Sequence, residues 1–210
     1  SFTGGEPTIQ REFSPEFFKM LDQHVNYDVL FFSMNTNCTK FVHNSWSNFI
    51  KKLKRVMIMV SIDGIGPVGE WVRLGLKMDI WEKNALRWKH LLKDHKQYTY
   101  GDLTSGVCSN FVMTNYNIFN VDDTEKYLTS LDIKMRKTNC FSPKYLSPEY
   151  LPDEIKKELP TDDFIQNILN TSDYNVDYCR QFIIYTQYLE TFQKAPEEAL
   201  FVYRKLKEYV

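Results

Sequence analysis

Val56-Met57-Ile58-Met59-Val60-Ser61-Ile62-Asp63-Gly64 is the stretch on which the reading of the fold turns. Its first five residues are apolar without a break. A strand covered on one face alternates apolar and polar residues, so this one is expected to be covered on both, as in a parallel sheet flanked by helices. The run then gives way to Ser61, Asp63 and Gly64. Ser61 and Asp63 are two apart and share a face if the strand continues through them. Parallel barrels place their active sites at the C-terminal strand ends, where this pair would sit. The ordinary alternative is an aspartate that caps the next turn.

Working outward, strands and helices alternate through the first two-thirds of the chain. Ser14-Pro15-Glu16 has an N-cap residue, a proline for the first helical position and an acid suited to the helix dipole. Phe17, Phe18, Leu21 and Val25 follow at helical spacing, and Tyr27 to Ser33 reads as a short buried strand. Ser45 is placed to cap a second helix with Trp46, Phe49, Ile50 and Leu53 inward and Lys51, Lys52 and Lys54 outward. A long helix is expected from Asp79 to His95, with Asp79 and Glu82 as a capping box and Ile80, Trp81, Ala85, Trp88, Leu91 and Leu92 as its apolar face. Val107 to Thr114 and Leu131 to Met135 read as strands, with a helix from Asp122 to Leu131 between them. This alternation predicts parallel βαβ units with right-handed crossovers.

Residues 140–160 contain four prolines and mark a boundary. Beyond it the pattern is helical, with Phe164, Ile165, Ile168 and Leu169 in one stripe and Tyr178, Phe182, Tyr185, Leu189 and Phe192 in another. Two domains are expected, 1–140 as a partial barrel and 141–210 as a mainly helical tail.

The 210 residues are 43% hydrophobic and 15% aromatic, enough for a substantial core. The formal net charge is -1, so general attraction to nucleic acid or an anionic membrane is not indicated. No apolar run approaches the roughly 20 residues that span a bilayer. Cys38, Cys108, Cys140 and Cys179 are widely separated and read as free thiols of a reducing, cytoplasmic setting. Lys51-Lys52-x-Lys54-Arg55 reads as a solvated helix face, and His24, His43, His90 and His95 as isolated structural histidines.

Several short segments in order carry a resemblance. Gly4-Gly5-Glu6-Pro7 offers close backbone approach and a carboxylate that can accept from an ammonium group. Thr36-Asn37 ends the next strand, with Cys38 where glycine would be usual. Ser61-Ile62-Asp63-Gly64 ends the one after. Gly69-Glu70-Trp71-Val72-Arg73-Leu74-Gly75 and Trp81-Glu82-Lys83-Asn84 follow, then Asn115-Tyr116-Asn117-Ile118, Pro143-Lys144-Tyr145-Leu146-Ser147 and Leu151-Pro152. Over roughly 1–155 this set resembles radical S-adenosylmethionine (radical SAM) enzymes, in particular the subgroup with a C-terminal twitch domain.

The resemblance implies an incomplete parallel (β/α)6 TIM-like barrel that lacks its first β/α unit. It implies S-adenosylmethionine contacts at Gly4, Gly5, Glu6, Ser61, Asp63, Arg73 and Asn117, with Asn117 preferred to Asn115 beside the ribose. It also implies a [4Fe-4S] cluster held by a C-x-x-x-C-x-x-C segment, which is expected upstream of Ser1 because no cysteine here has that spacing. The full protein would take an electron donor and generate a 5′-deoxyadenosyl radical that attacks a peptide or small-molecule substrate. The 210 residues alone are expected to be inactive, and a homodimer would cover the open barrel edge. Two other readings stand beside this one. The chain could be a cluster-less SAM-fold binding or scaffold module, or another α/β partial barrel with a phosphate or sugar ligand.

Overall fold

A computed structural model describes residues 6–9, 14–42, 44–95, 99–100, 103–104, 106–170 and 174–210. In chain order these form α1 (Pro15–His24), β1 (Phe31–Thr36), α2 (Asn44–Lys52), β2 (Arg55–Ser61), α3 (Gly66–Val72) and α4 (Met78–Leu92). Next come β3 (Thr99–Tyr100), β4 (Leu103–Thr104), β5 (Gly106–Met113), α5 (Val121–Ser130) and β6 (Lys134–Asn139). The helices α6 (Asp153–Lys156), α7 (Asp163–Leu169), α8 (Val176–Glu190) and α9 (Phe201–Tyr209) complete the chain. Among the described residues the main sheet is parallel and has four strands in the order β1-β2-β5-β6, beside a two-stranded antiparallel pair of β3 and β4.

The register follows from the apolar run. Phe31 to Thr36 of β1 pair with Arg55 to Val60 of β2, and Met57 to Ser61 pair with Gly106 to Asn110 of β5. Val56, Met57, Ile58 and Val60 are all buried, so both faces of β2 are covered, as the unbroken apolarity requires.

Residues group by contact into two units. The first comprises 1–61, 76–110 and 128–135, and the second 62–75, 111–127 and 136–210. In the first unit, Ser14 caps α1 by accepting from Phe17 N at 3.4 Å. Phe18 of α1 lies against Trp46 and Phe49 of α2, with ring centroids 5.0 and 5.3 Å away. Phe32 of β1 meets the same two rings, so one aromatic cluster joins α1, α2 and β1. Trp81, Ala85 and Trp88 bury the inner stripe of α4, and the Trp81 indole N–H donates to Ser61 O at 3.0 Å.

In the second unit, Tyr116 is the centre of packing. Its hydroxyl shares a 2.8 Å hydrogen bond with Thr186 Oγ1 of α8. Its ring lies 4.8 Å from both Phe182 and Trp71. Asp162 caps α7 and Asn175 caps α8 through their side-chain oxygens.

Several element ends differ from expectation. The first strand starts at Phe31 rather than Tyr27, because Asn26 closes a turn by accepting from Leu30 N at 3.1 Å and from Asp28 N at 3.0 Å. It runs on to Thr36, since those polar residues pair with β2. Asp79 lies inside α4 and forms no capping box. Lys77 occupies the N-cap without a side-chain capping bond, and the helix stops at Leu92. Ile80 is 42% exposed, and Asn84 takes its place on the buried face. The last strand begins at Lys134, because Asp132 takes a left-handed turn at φ 52 directly after α5. Phe192, expected in the tail's apolar stripe, is 68% exposed.

The aromatic cluster predicts an order of mutational cost. Trp46→Ala is expected to cost about 3–5 kcal/mol in urea unfolding, as for other large core truncations. Lys19→Ala on the exposed face of α1 should stay within about 0.5 kcal/mol of the parent. Equal midpoints for the two variants would contradict this packing.

Candidate functional site

The second unit holds a polar knot built around Asp63, which lies two residues past β2. Its side chain is 12% exposed, and both oxygens are occupied. Oδ2 accepts from Arg73 Nε at 2.6 Å, and Oδ1 accepts from the backbone N–H of Val112 at 2.9 Å. The Asp63 carbonyl accepts from Asn117 Nδ2 at 2.8 Å. Asn117 donates its other amide hydrogen to Val112 O at 2.9 Å, and its Oδ1 accepts from Thr114 N and Oγ1. Every hydrogen-bonding position of the fully buried Asn117 amide is therefore used by protein.

Glycines let the loop after Asp63 close. Gly64 has φ +142, and Gly69 passes so near that a Cβ on it would lie 2.1 Å from Gly64 O. Asn120 braces the same turn, its Oδ1 accepting from Ile65 N at 2.7 Å. This contact brings α3 back beneath the loop, and Arg73 follows directly as its C-cap.

Arg73 differs from its partners. Its side chain is 29% exposed and Nε is committed to Asp63, but the two Nη groups have no protein partner among the described residues. A guanidinium aimed by one edge presents its other edge to a carboxylate or phosphate. Asn115 has a second open valence. Its Nδ2 donates to Tyr145 O at 3.1 Å, while its buried Oδ1 has no partner. Burial holds the Cys140 thiol above its ordinary pKa, and the negative charge of Asp63 adds to the effect.

In the first unit, Glu6 is a strand-end clamp. Oε1 accepts from Thr8 N, Thr8 Oγ1 and Thr36 Oγ1, and Oε2 accepts from Asn37 N at 2.6 Å. Cys38 follows with φ 57, so it adopts the left-handed conformation more usual for glycine. Asn84 Nδ2 holds its carbonyl at 2.8 Å. Ser61 is the last residue of β2, opposite Asn110 of β5. Gly4 and Gly5 lie outside the described residues.

The structure thus brings Asp63, Arg73 and Asn117 into one network and puts Glu6 with Thr36 and Asn37. Sequence reasoning missed Asn120 and the Val112 N–H, and it quoted Asn84 only within the Trp81–Asn84 segment of the resemblance, without a role in the site. Asn84 carried a signal, a polar residue on a helix's apolar stripe. Val112 acts through its backbone and carries none. Among the described residues, no group of three or more His, Cys, Asp or Glu is arranged to hold a metal ion, and no helix is long and apolar enough to cross a membrane.

No protein-family model matches the chain, and no curated protein matches it. Solved structures do. The chain is similar to anSMEcpe with bound AdoMet (S-adenosylmethionine) at TM-score 0.50 and 23% identity, over 87% of this chain and 49% of that one. It is similar to anSMEcpe with bound AdoMet and the Cp18Cys peptide at TM-score 0.50 and 22% identity, over 93% and 53%. SuiB of Streptococcus suis bound to S-adenosylmethionine matches at TM-score 0.46 and 14% identity, over 92% and 35%. These neighbours are radical SAM enzymes. At such identities the likeness shows the fold, an α/β arrangement with a parallel sheet, compatible with a partial TIM-like barrel. The chain spans about half the length of the anSME structures.

Asp63→Ala is expected to destabilise the chain by about 3 kcal/mol in urea unfolding, because it leaves a half-buried guanidinium and the Val112 N–H without partners. Arg73→Ala should cost a similar amount, since it leaves Oδ2 of the more buried Asp63 without a donor, and a near-neutral Arg73→Ala would contradict the network. Burial also pushes the Cys179 thiol up to about 11. The thiolate is the nucleophile, so iodoacetamide at pH 8 should label Cys140 and Cys179 many times more slowly in the folded chain than in urea, as read by peptide mass spectrometry.

Proposed function

We propose that this chain is the AdoMet-holding part of a radical SAM enzyme, with residues 141–210 as a twitch-like region and a peptide as the class of substrate. The observation that carries the reading is the Arg73 guanidinium, oriented by Asp63 and open along its Nη edge. An α-carboxylate is the anion such an edge fits. The fold is supporting context, and one neighbour's structure contains AdoMet together with the Cp18Cys peptide.

The residues present fit AdoMet in two respects. Arg73 can take the carboxylate by a charge-assisted pair, and the buried, unpartnered Asn115 Oδ1 can accept from a ribose hydroxyl. They do not fit the [4Fe-4S] cluster. The four cysteines are buried, form no disulfide and are widely spaced, and no group of three His, Cys, Asp or Glu among the described residues is arranged to hold a metal. We therefore place the cluster ligands on a segment outside this sequence and route no step through the cluster. Bound together, AdoMet and a cluster held by that outside segment would supply hydrogen-abstracting radical chemistry to the parent enzyme. An electron donor is then required. In this chain Asp63 orients Arg73, Arg73 anchors the ligand, and Asn117 keeps the strand end in place.

Equilibrium dialysis with radiolabelled AdoMet tests the reading. Arg73→Ala is expected to weaken binding about tenfold to a hundredfold, the scale of a charged hydrogen bond. Decarboxylated AdoMet should bind the parent and Arg73→Ala equally, because the group that Arg73 reads is gone. Equal loss for both ligands would make Arg73 a structural residue, and no AdoMet binding to the parent chain would sink the proposal. The cluster-less reading predicts parent-level affinity without iron, and also that a longer protein gains no AdoMet cleavage when iron and sulfide are supplied.

A further inference from the structure

The lysine run Lys51-Lys52-x-Lys54 is not simply a solvated helix face. In the first unit the C-terminal end of α2 and the C-terminal turn of α4 border one cavity of about 810 Å³. That volume lies within the range of small-molecule sites. It is in the same unit as the start of β2. It shares no residue with the Asp63 network.

The cations around it fall into two groups. Lys52 and Lys54 at the rim are matched by Asp22 at 2.7 Å and Asp28 at 2.6 Å. Lys51 and Lys93 have no carboxylate partner among the described residues. His95 is fixed differently, with Nε2 against Ile50 O at 3.1 Å. Asp94 is the one acid in the lining, so the cavity stays positive after the rim pairs are discounted. The ends of α2 and α4 each contribute about -0.5 charge through their free carbonyls, which lowers the surplus without cancelling it. A surplus this small suits one or two anionic charges rather than a polyelectrolyte backbone, which needs many cationic contacts.

The floor supplies the second half of the recognition. Leu53 is buried, and Leu91 and Phe41 are half-buried. Arg87 stacks on the Phe41 ring, with its guanidinium carbon 3.9 Å from the ring centroid. A guanidinium held by its face on a ring keeps its N–H edge free for oxygens, unlike one already paired with a carboxylate. Amines on one side, a free guanidinium edge and an apolar floor together match an organic phosphate.

We propose that this cavity binds a small phosphate monoester, with Lys51, Lys93 and Arg87 on the phosphate oxygens and Phe41, Leu53 and Leu91 under the organic group. The unpaired lysines and Arg87 together make the potential at the cavity positive. The occupant is separate from the AdoMet of the proposed function, and neither proposal rests on the other.

Isothermal titration of the 210-residue chain at near-physiological salt tests it with phenyl phosphate, inorganic phosphate, phenol and a 20-base-pair DNA duplex as probes. Phenyl phosphate is expected to bind saturably and at least about tenfold more tightly than inorganic phosphate or phenol. The double variant Lys51→Gln/Lys93→Gln, whose side chains are exposed and make no bonds the fold uses, should lose about tenfold or more while melting as the parent does. Arg87→Gln should lose a similar factor, and AdoMet binding should be unchanged in both. Inorganic phosphate binding as tightly as phenyl phosphate would overturn the ester. Unchanged affinity in the double variant would overturn the site. Tighter binding of the duplex would overturn the small ligand.

Discussion

The carboxylate of Asp63 is the constraint around which the second unit is organised. A buried carboxylate is costly unless every oxygen finds a donor. Here one oxygen takes the Arg73 guanidinium and the other takes a backbone N–H from the end of β5. Asn117 then joins the Asp63 carbonyl to the Val112 carbonyl. The loop after β2, the end of α3 and the end of β5 are thereby fixed to one another by charge-assisted and amide bonds. Arg73 inherits its direction from this set. An arginine on an exposed helix end samples many rotamers, whereas one held at Nε by a buried acid presents its remaining N–H groups along a defined line.

The glycines serve the same geometry from below. Gly69 is required because Gly64 O occupies the space of its Cβ, and Gly64 is required because of its positive φ and its nearness to Asn120. Neither requirement involves a ligand. The resemblance drew attention to this glycine-bearing segment for its cofactor, but in the structure the glycines first allow α3 to fold back beneath the loop. Trp71 of α3 then donates to Gln193 O and packs on Tyr116, which is bonded to Thr186. The helices of 176–209 are thus tied to the residues beside Asp63 within one unit.

What the sequence made legible was periodicity. The run at 56–60 announced a strand covered on both faces, and Ser14-Pro15 announced the start of α1, because each depends on residues adjacent in the chain. Features that depend on distant partners were not legible. Asn26 decides that β1 begins at Phe31, through a turn that Tyr27 to Val29 would enter equally well as a strand. Asp79 and Glu82 have the spacing of a capping box, yet Lys77 takes the N-cap. In the site, Asp63 and Arg73 stood out one at a time, but their pairing across ten residues did not. The Glu6 clamp on Thr36 and Asn37 spans thirty residues, and Val112 contributes only a backbone N–H, which no side-chain pattern marks.

The distribution of spent and unspent valences bears on what chemistry the knot can do. Asp63 has a protein donor on each oxygen and Asn117 has all its amide positions engaged, so both side chains are tied to the fold around them. Glu6 is bound by four donors and is no freer. The groups left open are the Nη edge of Arg73 and the Oδ1 of Asn115, one donor set and one acceptor. Such a set can bind and orient a ligand but supplies neither a base nor a nucleophile. That division of labour is the one a reaction needs when a cofactor carries the chemistry and the protein contributes position, charge and exclusion of water.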